Sequence, residues 1–357
     1  MIESLINWSD IAYYVAMGVY AVAFILFALD LSGRGSAEAK RAAAARNSGS
    51  ALGATSRELV GATVSHADAG DAGIVTSKAP EAGGSGGTAV RATKAGGGES
   101  WRDLRATRFL PAAMIATLVG FAAHFTSALT LGLAAGRVPW SNMYEFTLTA
   151  TLLIVLVFLV SQLWQDLRFL GTFITGMVTL FLGIATVGFR VEVMPLQPAL
   201  QSYWLVIHVF IASLATGFLA LGFGLSVLQL LQQRREARVR AGAAAKGGPL
   251  SALPSSERLE DLAFRVNVVG FIFWTFTLVA GAIWAEAAWG RYWGWDTKEV
   301  WTFIIWVVYA GYLHARSTKG WRGGPSAWLA IVGFATVMFN FGIVNVFFTG
   351  LHSYSGL

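Results

Sequence analysis

Eight runs of apolar residues, each near the ~20 residues that a helix needs to cross a bilayer, constrain this chain more than any other feature. They fall at residues 11–31, 109–134, 143–163, 169–189, 203–231, 266–286, 301–315 and 327–349. The seventh is short on a strict count, and its flanking aromatic residues extend it. A backbone in lipid must satisfy its own N–H and C=O groups, so runs of this length imply helices. With 55% hydrophobic and 13% charged residues, the composition excludes a soluble globular chain. The expected fold is an all-α polytopic membrane protein, a bundle of about eight transmembrane helices with a disordered inner linker.

The linker expectation rests on residues 32–105, which are Ala-, Gly-, Ser- and Thr-rich with scattered charges and almost no large apolar side chains. Such a segment cannot bury a core. The organisation is therefore read as a first span at 1–31, a disordered cytoplasmic linker at 32–105 and a transmembrane domain at 106–357. The first ten residues lack the positive stretch of a cleaved signal peptide, so the first span is expected to be retained. The net charge of +6 would suggest nucleic acid in a soluble protein, but here it reports topology. With the N-terminus outside, 22 Lys and Arg residues lie on inner connections and 4 on outer ones. Without the eleven of the long first connection, the ratio is still 11 to 4. The expected location is the cell membrane, with both termini and the loop at 289–301 on the outer side. The basic connection at 232–262 is expected to lie inside, against anionic lipid.

The loop at 289–301 reads Trp289-Gly-Arg-Tyr-Trp-Gly-Trp-Asp-Thr-Lys-Glu-Val-Trp301. Its four tryptophans and one tyrosine make a flat, polarizable surface beside the charges of Asp296, Lys298 and Glu299. One reading is an interfacial aromatic belt. A belt, however, spreads its rings over many helix ends, whereas these crowd one loop. Gly290 and Gly294 interleave them and permit turns that bring rings onto one face. The loop is better read as a platform for a large planar ligand.

Histidines are the candidate ligands, since an imidazole in a span is costly unless paired, ligated or facing a cavity. His208 lies near the outer end of the fifth run, and His352 follows the eighth on the same side. They are placed to flank the loop, and two neutral imidazoles on either side of a planar macrocycle make bis-His haem ligation. The alternative is a pair of hydrogen-bonded interfacial histidines. His314, near the inner end of the seventh run, reads equally as a snorkelling interfacial residue. His124 lies about 22 Å into the second span at helical rise and is expected to make a hydrogen bond within the bundle. His66, in the linker, is read as incidental. The chain has no cysteine, so any thiol chemistry belongs to a partner.

These residues resemble the CcsA/ResC proteins of System II cytochrome c biogenesis, also called CcsB, in the haem-handling family marked by a WWD domain. The loop and Trp306-Val-Val-Tyr-Ala-Gly-Tyr-Leu-His314 are similar to that domain almost position for position. Arg137-Val-Pro-Trp-Ser-Asn-Met-Tyr-Glu145 and Asn345-Val-Phe-Phe-Thr-Gly-Leu-His-Ser-Tyr354 resemble two further family segments. The similarity covers roughly residues 109–357. It departs at Thr297, where relatives often carry proline, and the segment at 32–105 has no counterpart role in the family.

The resemblance implies haem b as cofactor. It implies His208 and His352 as external axial ligands and His314 as a histidine of an inner haem site, with Trp289, Trp293, Trp295, Asp296 and Trp301 in the external platform. It also implies a ResB-type partner membrane protein, an apocytochrome c with a Cys-x-x-Cys-His motif and a separate thiol reductant, with no nucleic acid. The activity implied is delivery or export of haem and its presentation for thioether attachment, as a subunit of a holocytochrome c synthase of the haem lyase type. Asp296 would orient the loop or the apocytochrome rather than act as a base. Two other classes compete: a b-type electron-transfer membrane protein and a small-molecule transporter.

Overall fold

Each apolar run becomes a helix, and most helices outlast the run that defines them. The computed structural model describes residues 1–64, 109–243, 247–318 and 320–352. The main helices are α1 (Ile2–Val64), α2 (Phe109–Ala135), α3 (Met143–Ser161), α4 (Gly171–Gly188), α5 (Tyr203–Arg240), α6 (Ser256–Trp289), α7 (Thr297–Ser317) and α8 (Gly324–Met338). Beyond α8 the chain continues through a π-helical segment, Phe339–Val344, and a last short turn, Asn345–Phe347. No strand occurs among the described residues.

Seven of these helices are long and apolar enough to cross a membrane, which makes this a multi-pass membrane protein. The exception is α7: its 21 residues include Lys298 and Glu299 at one end and His314 and Arg316 at the other. Helix α1 continues past residue 31 to Val64, with its membrane-length stretch at Ile2–Lys40. The rest of the expected linker, His66 included, lies outside the described residues.

Helix α1 packs along α2 and α4, and α5 packs along α3, α6 and α8. Lipid supplies no hydrophobic drive between helices, so close approach depends on small residues. At Gly222 on α5 a Cβ would fall 1.9 Å from Asn267 Oδ1 on α6, so only glycine permits this contact. The core is one continuous cluster that includes Tyr13, Phe158, Leu170, Ile174, Leu182 and Tyr309. A smaller cluster, Trp140, Leu200, Leu205 and Val209, sits apart with Trp284 against it.

Cross-links divide the bundle into two ends. At one, Asp10 pairs with Arg190, Arg137 pairs with Glu145 at 2.7 Å and donates to the Met194 carbonyl, and Asp296 meets His352. At the other, Ser251 donates to Gly35 O, Arg258 to Gln165 and Arg316 to Asp261. The N-terminal turns, the 137–145, 190–202 and 289–301 segments and residues 350–352 therefore share one face.

Candidate functional site

The start of α7 organises this shared face. Asp296 caps the helix: its carboxylate accepts from Lys298 N, and Glu299 reaches back to Asp296 N in a capping box. Glu299 Oε2 also accepts from Gly294 N at 2.8 Å, and Oε1 from Arg291 at 3.2 Å. The loop is thus wound around one buried carboxylate. Gly290 ends α6 in the left-handed region (φ 70°), where its missing Cβ removes the strain. Gly294 has a different reason to be glycine, since a Cβ there would run into the Arg291 guanidinium.

Asp296 has a second task. Its Oδ2 lies 2.8 Å from His352 Nδ1, and its Oδ1 accepts from Leu351 N at 3.1 Å. The contact with His352 holds the Asp296 carboxyl below its ordinary range, against the opposing effect of burial. An ionised carboxylate only accepts, so Nδ1 of His352 carries a proton. The edge of Trp289 meets the same imidazole, with centroids 4.9 Å apart.

Beside the loop a cavity of about 220 Å³ opens between α3, α5, α6, α7 and the segment after α8. Phe146, Ile154, Val209, Leu278 and Met338 make its wall largely apolar. His208, from α5, and His352, from beyond α8, line this same cavity. The His208 imidazole lies against the backbone of Thr277, and its buried Nδ1 makes no close hydrogen bond. The ring stands against Trp284, centroids 5.5 Å apart, and over Gly281, where a Cβ would come within 2.8 Å of it.

The tryptophans separate into two groups. Trp289 and Trp293 line the cavity. Trp295 does not: at φ 60° its backbone turns the ring outward, 76% exposed and nearly perpendicular to Trp293. Trp301 packs instead on Phe339, with centroids 4.2 Å apart. His314 is exposed on the last turn of α7, about 24 Å along the helix from Lys298 at 1.5 Å per residue. It does not line the cavity. His124 is buried and held at both nitrogens, by Leu148 O at 2.8 Å and Tyr20 OH at 3.4 Å. It makes the expected hydrogen bond within the bundle.

Two features of the cavity region were not read from the sequence. One is the pairing of Asp296 with His352 across 56 residues, and the other is Lys298, whose Nζ donates to Asn345 Oδ1 at 2.6 Å and to Asn340 O at 3.0 Å. The Arg137–Glu145 motif forms the cap of α3. Asn142 accepts from Glu145 N, Glu145 accepts from Ser141 N, and Trp140 donates to Thr149 at 2.7 Å.

Residues 140–352, from this cap to His352, match the family model for cytochrome c assembly proteins. The chain belongs to that family. The match takes in α3 to α8 and every segment that lines the cavity. The chain is 37% identical over 226 residues to the cytochrome c biogenesis protein CcsA of Chlamydomonas reinhardtii, covering 62% of each chain. It is 36% identical over 242 residues to CcsA of Prochlorococcus marinus strain AS9601, covering 62% of this chain and 77% of that one. To CcsA of Porphyra purpurea it is 32% identical over 293 residues, covering 72% of this chain and 92% of that one.

Proposed function

We propose that this protein serves cytochrome c biogenesis by binding haem b in the cavity beside the tryptophan loop and presenting it for covalent attachment to apocytochrome c. The observation that carries this reading is the convergence of His208 and His352 on one largely apolar cavity. The residues fit the group. His208 is buried on the cavity wall with only the Thr277 backbone beside it and no close hydrogen bond at Nδ1, and a buried polar atom of that kind calls for a partner. His352 has its Nδ1 proton held by a carboxylate, the arrangement that fixes the tautomer of ligating imidazoles. Gly281 leaves room at the His208 ring.

In this reading His208 and His352 would hold the haem iron, Asp296 would orient the His352 imidazole, and Trp289 and Trp293 would bound the macrocycle. Haem b, when bound, supplies the vinyl groups that take up the two thiols of a Cys-x-x-Cys-His motif. The protein's contribution is positioning, which lowers the entropic part of the barrier. Without a cysteine, the chain leaves both the thiols and their reduction to partners. A ResB-type membrane protein completes the synthase, and the cavity face looks outward from the cell membrane. His314, at the far end of α7, belongs to a separate inner haem site through which haem is delivered.

The test is the visible spectrum of the purified protein, wild type beside His208→Ala/His352→Ala, with and without a co-expressed ResB-type partner. The expected result is a reduced low-spin haem b spectrum that weakens or changes spin state in the double variant, with cytochrome c maturation lost. Haem that is unchanged by both substitutions would reject the assignment.

A further inference from the structure

The cavity wall carries more hydrogen-bond donors than it can satisfy. Lys298 lines the cavity, and its ammonium has three N–H groups, two of them given to the neutral oxygens of Asn340 and Asn345. Lys298 forms no ion pair among the described residues. The two carboxylates nearest in sequence are committed elsewhere, Asp296 to His352 and Glu299 to Arg291. Two indole N–H groups on the same wall, Nε1 of Trp284 and Nε1 of Trp293, are buried with no acceptor. A buried ammonium with no salt bridge and only the more distant charge of Asp296 is costly away from water, and so are unmatched donors. All of these groups ask for an anion that accepts hydrogen bonds, and the apolar remainder of the wall asks for a large apolar body attached to it.

We propose that Lys298 is a carboxylate anchor inside the cavity, with the indole N–H groups of Trp284 and Trp293 as supporting donors, and that it fixes the rotation of a bound macrocycle by holding its propionate edge. The proposal rests on the haem reading and deepens it. Two imidazoles alone would hold the iron but leave a bound ring free to rotate, and a side anchor would remove that freedom. Lys298 is therefore a positioning residue that decides which edge of the ring is offered to the thiols. Charge-assisted contacts are the strong members of their class, so the anchor is expected to change affinity by about tenfold or more.

The experiment titrates the full-length protein in detergent with haem b and with haem dimethyl ester, whose propionates are methylated, and follows the Soret band. Wild type is expected to bind haem b on the order of tenfold more tightly than the ester. Lys298→Met should erase that preference by weakening haem b alone, and Lys298→Arg should keep it. Trp284→Phe removes one donor without touching the start of α7, should narrow the preference, and decides the matter if Lys298→Met does not fold. Equal binding of the two macrocycles by wild type, or a preference that survives both Lys298→Met and Trp284→Phe, overturns the anchor and leaves the haem reading standing. No binding of either macrocycle to wild type overturns both.

Discussion

At the residue scale, Asp296 combines two roles that substitution can separate. It caps α7 through Lys298 N and holds Nδ1 of His352. Asparagine caps a helix about as well as aspartate, whereas alanine costs roughly 0.5–2 kcal/mol at such a position. Asp296→Asn should therefore leave thermal stability nearly unchanged while weakening haem binding by about 10- to 100-fold, the usual effect of losing the group that orients a ligating histidine. Asp296→Ala should lose both, and a melting curve recorded beside a haem titration separates the two outcomes. The pH dependence has a definite sign. The carboxyl is held below its ordinary value of 3.8, so its contribution is complete above that value and is lost as pH falls through the lower one. Tryptophan fluorescence of the loop should thus hold steady from neutral pH to about 4 and change only below it, with the step absent in Asp296→Asn. A step well above pH 4 would mean that the Asp296 carboxylate does not hold the loop.

At the element scale, the α6–α7 connection depends on the Glu299 carboxylate, which gathers Gly294 N, Asp296 N and Arg291. Glu299→Ala would leave these donors without their acceptor, at about 1–3 kcal/mol for each one that stays buried. Hydrogen exchange should accelerate across residues 291–296 while α5 keeps its protection; uniform acceleration would mean the whole bundle had loosened. Helix positions were legible in the sequence because hydrophobic length sets them: the second run, 109–134, became Phe109–Ala135. Helix ends were less legible, because a helix does not have to stop where the membrane does. The fifth run, read to residue 231, continues to Arg240 through Gln, Arg and Glu, which are good helix formers in water. The seventh run is short because its apolar residues begin at Trp301, whereas Asp296 starts the helix at Thr297. The loop's aromatic density was visible too, but the ring directions were not. Trp295 points outward because of one positive φ that no composition announces. Likewise, the Asp296–His352 contact joins residues 56 positions apart and depends on how α7 and the end of α8 pack.

At the scale of the whole molecule, the described residues that line the cavity run from 146 to 352, within the span shared with the family. Deleting 65–98 should leave haem content and cytochrome c maturation near wild type, and loss of maturation with normal haem would show that this segment docks a partner. The orientation of the bundle follows from charge. Lys and Arg are retained on the cytoplasmic side, and in the sequence 22 of the 26 fall on connections that alternate with the one carrying the tryptophan loop. The cavity and its histidines should therefore face outward, where an exported apocytochrome would meet them. Because the chain has no cysteine, single cysteines can report this directly without a background to remove. Glu192 is exposed on the cavity face, and Ala237 is exposed near the end of α5 on the opposite face. In intact cells a membrane-impermeant maleimide should label Glu192→Cys and spare Ala237→Cys until the membrane is opened. The reverse pattern would place the cavity in the cytoplasm, where haem is made but exported apocytochromes are not, and the chain would then have to be a haem acceptor on the supply side.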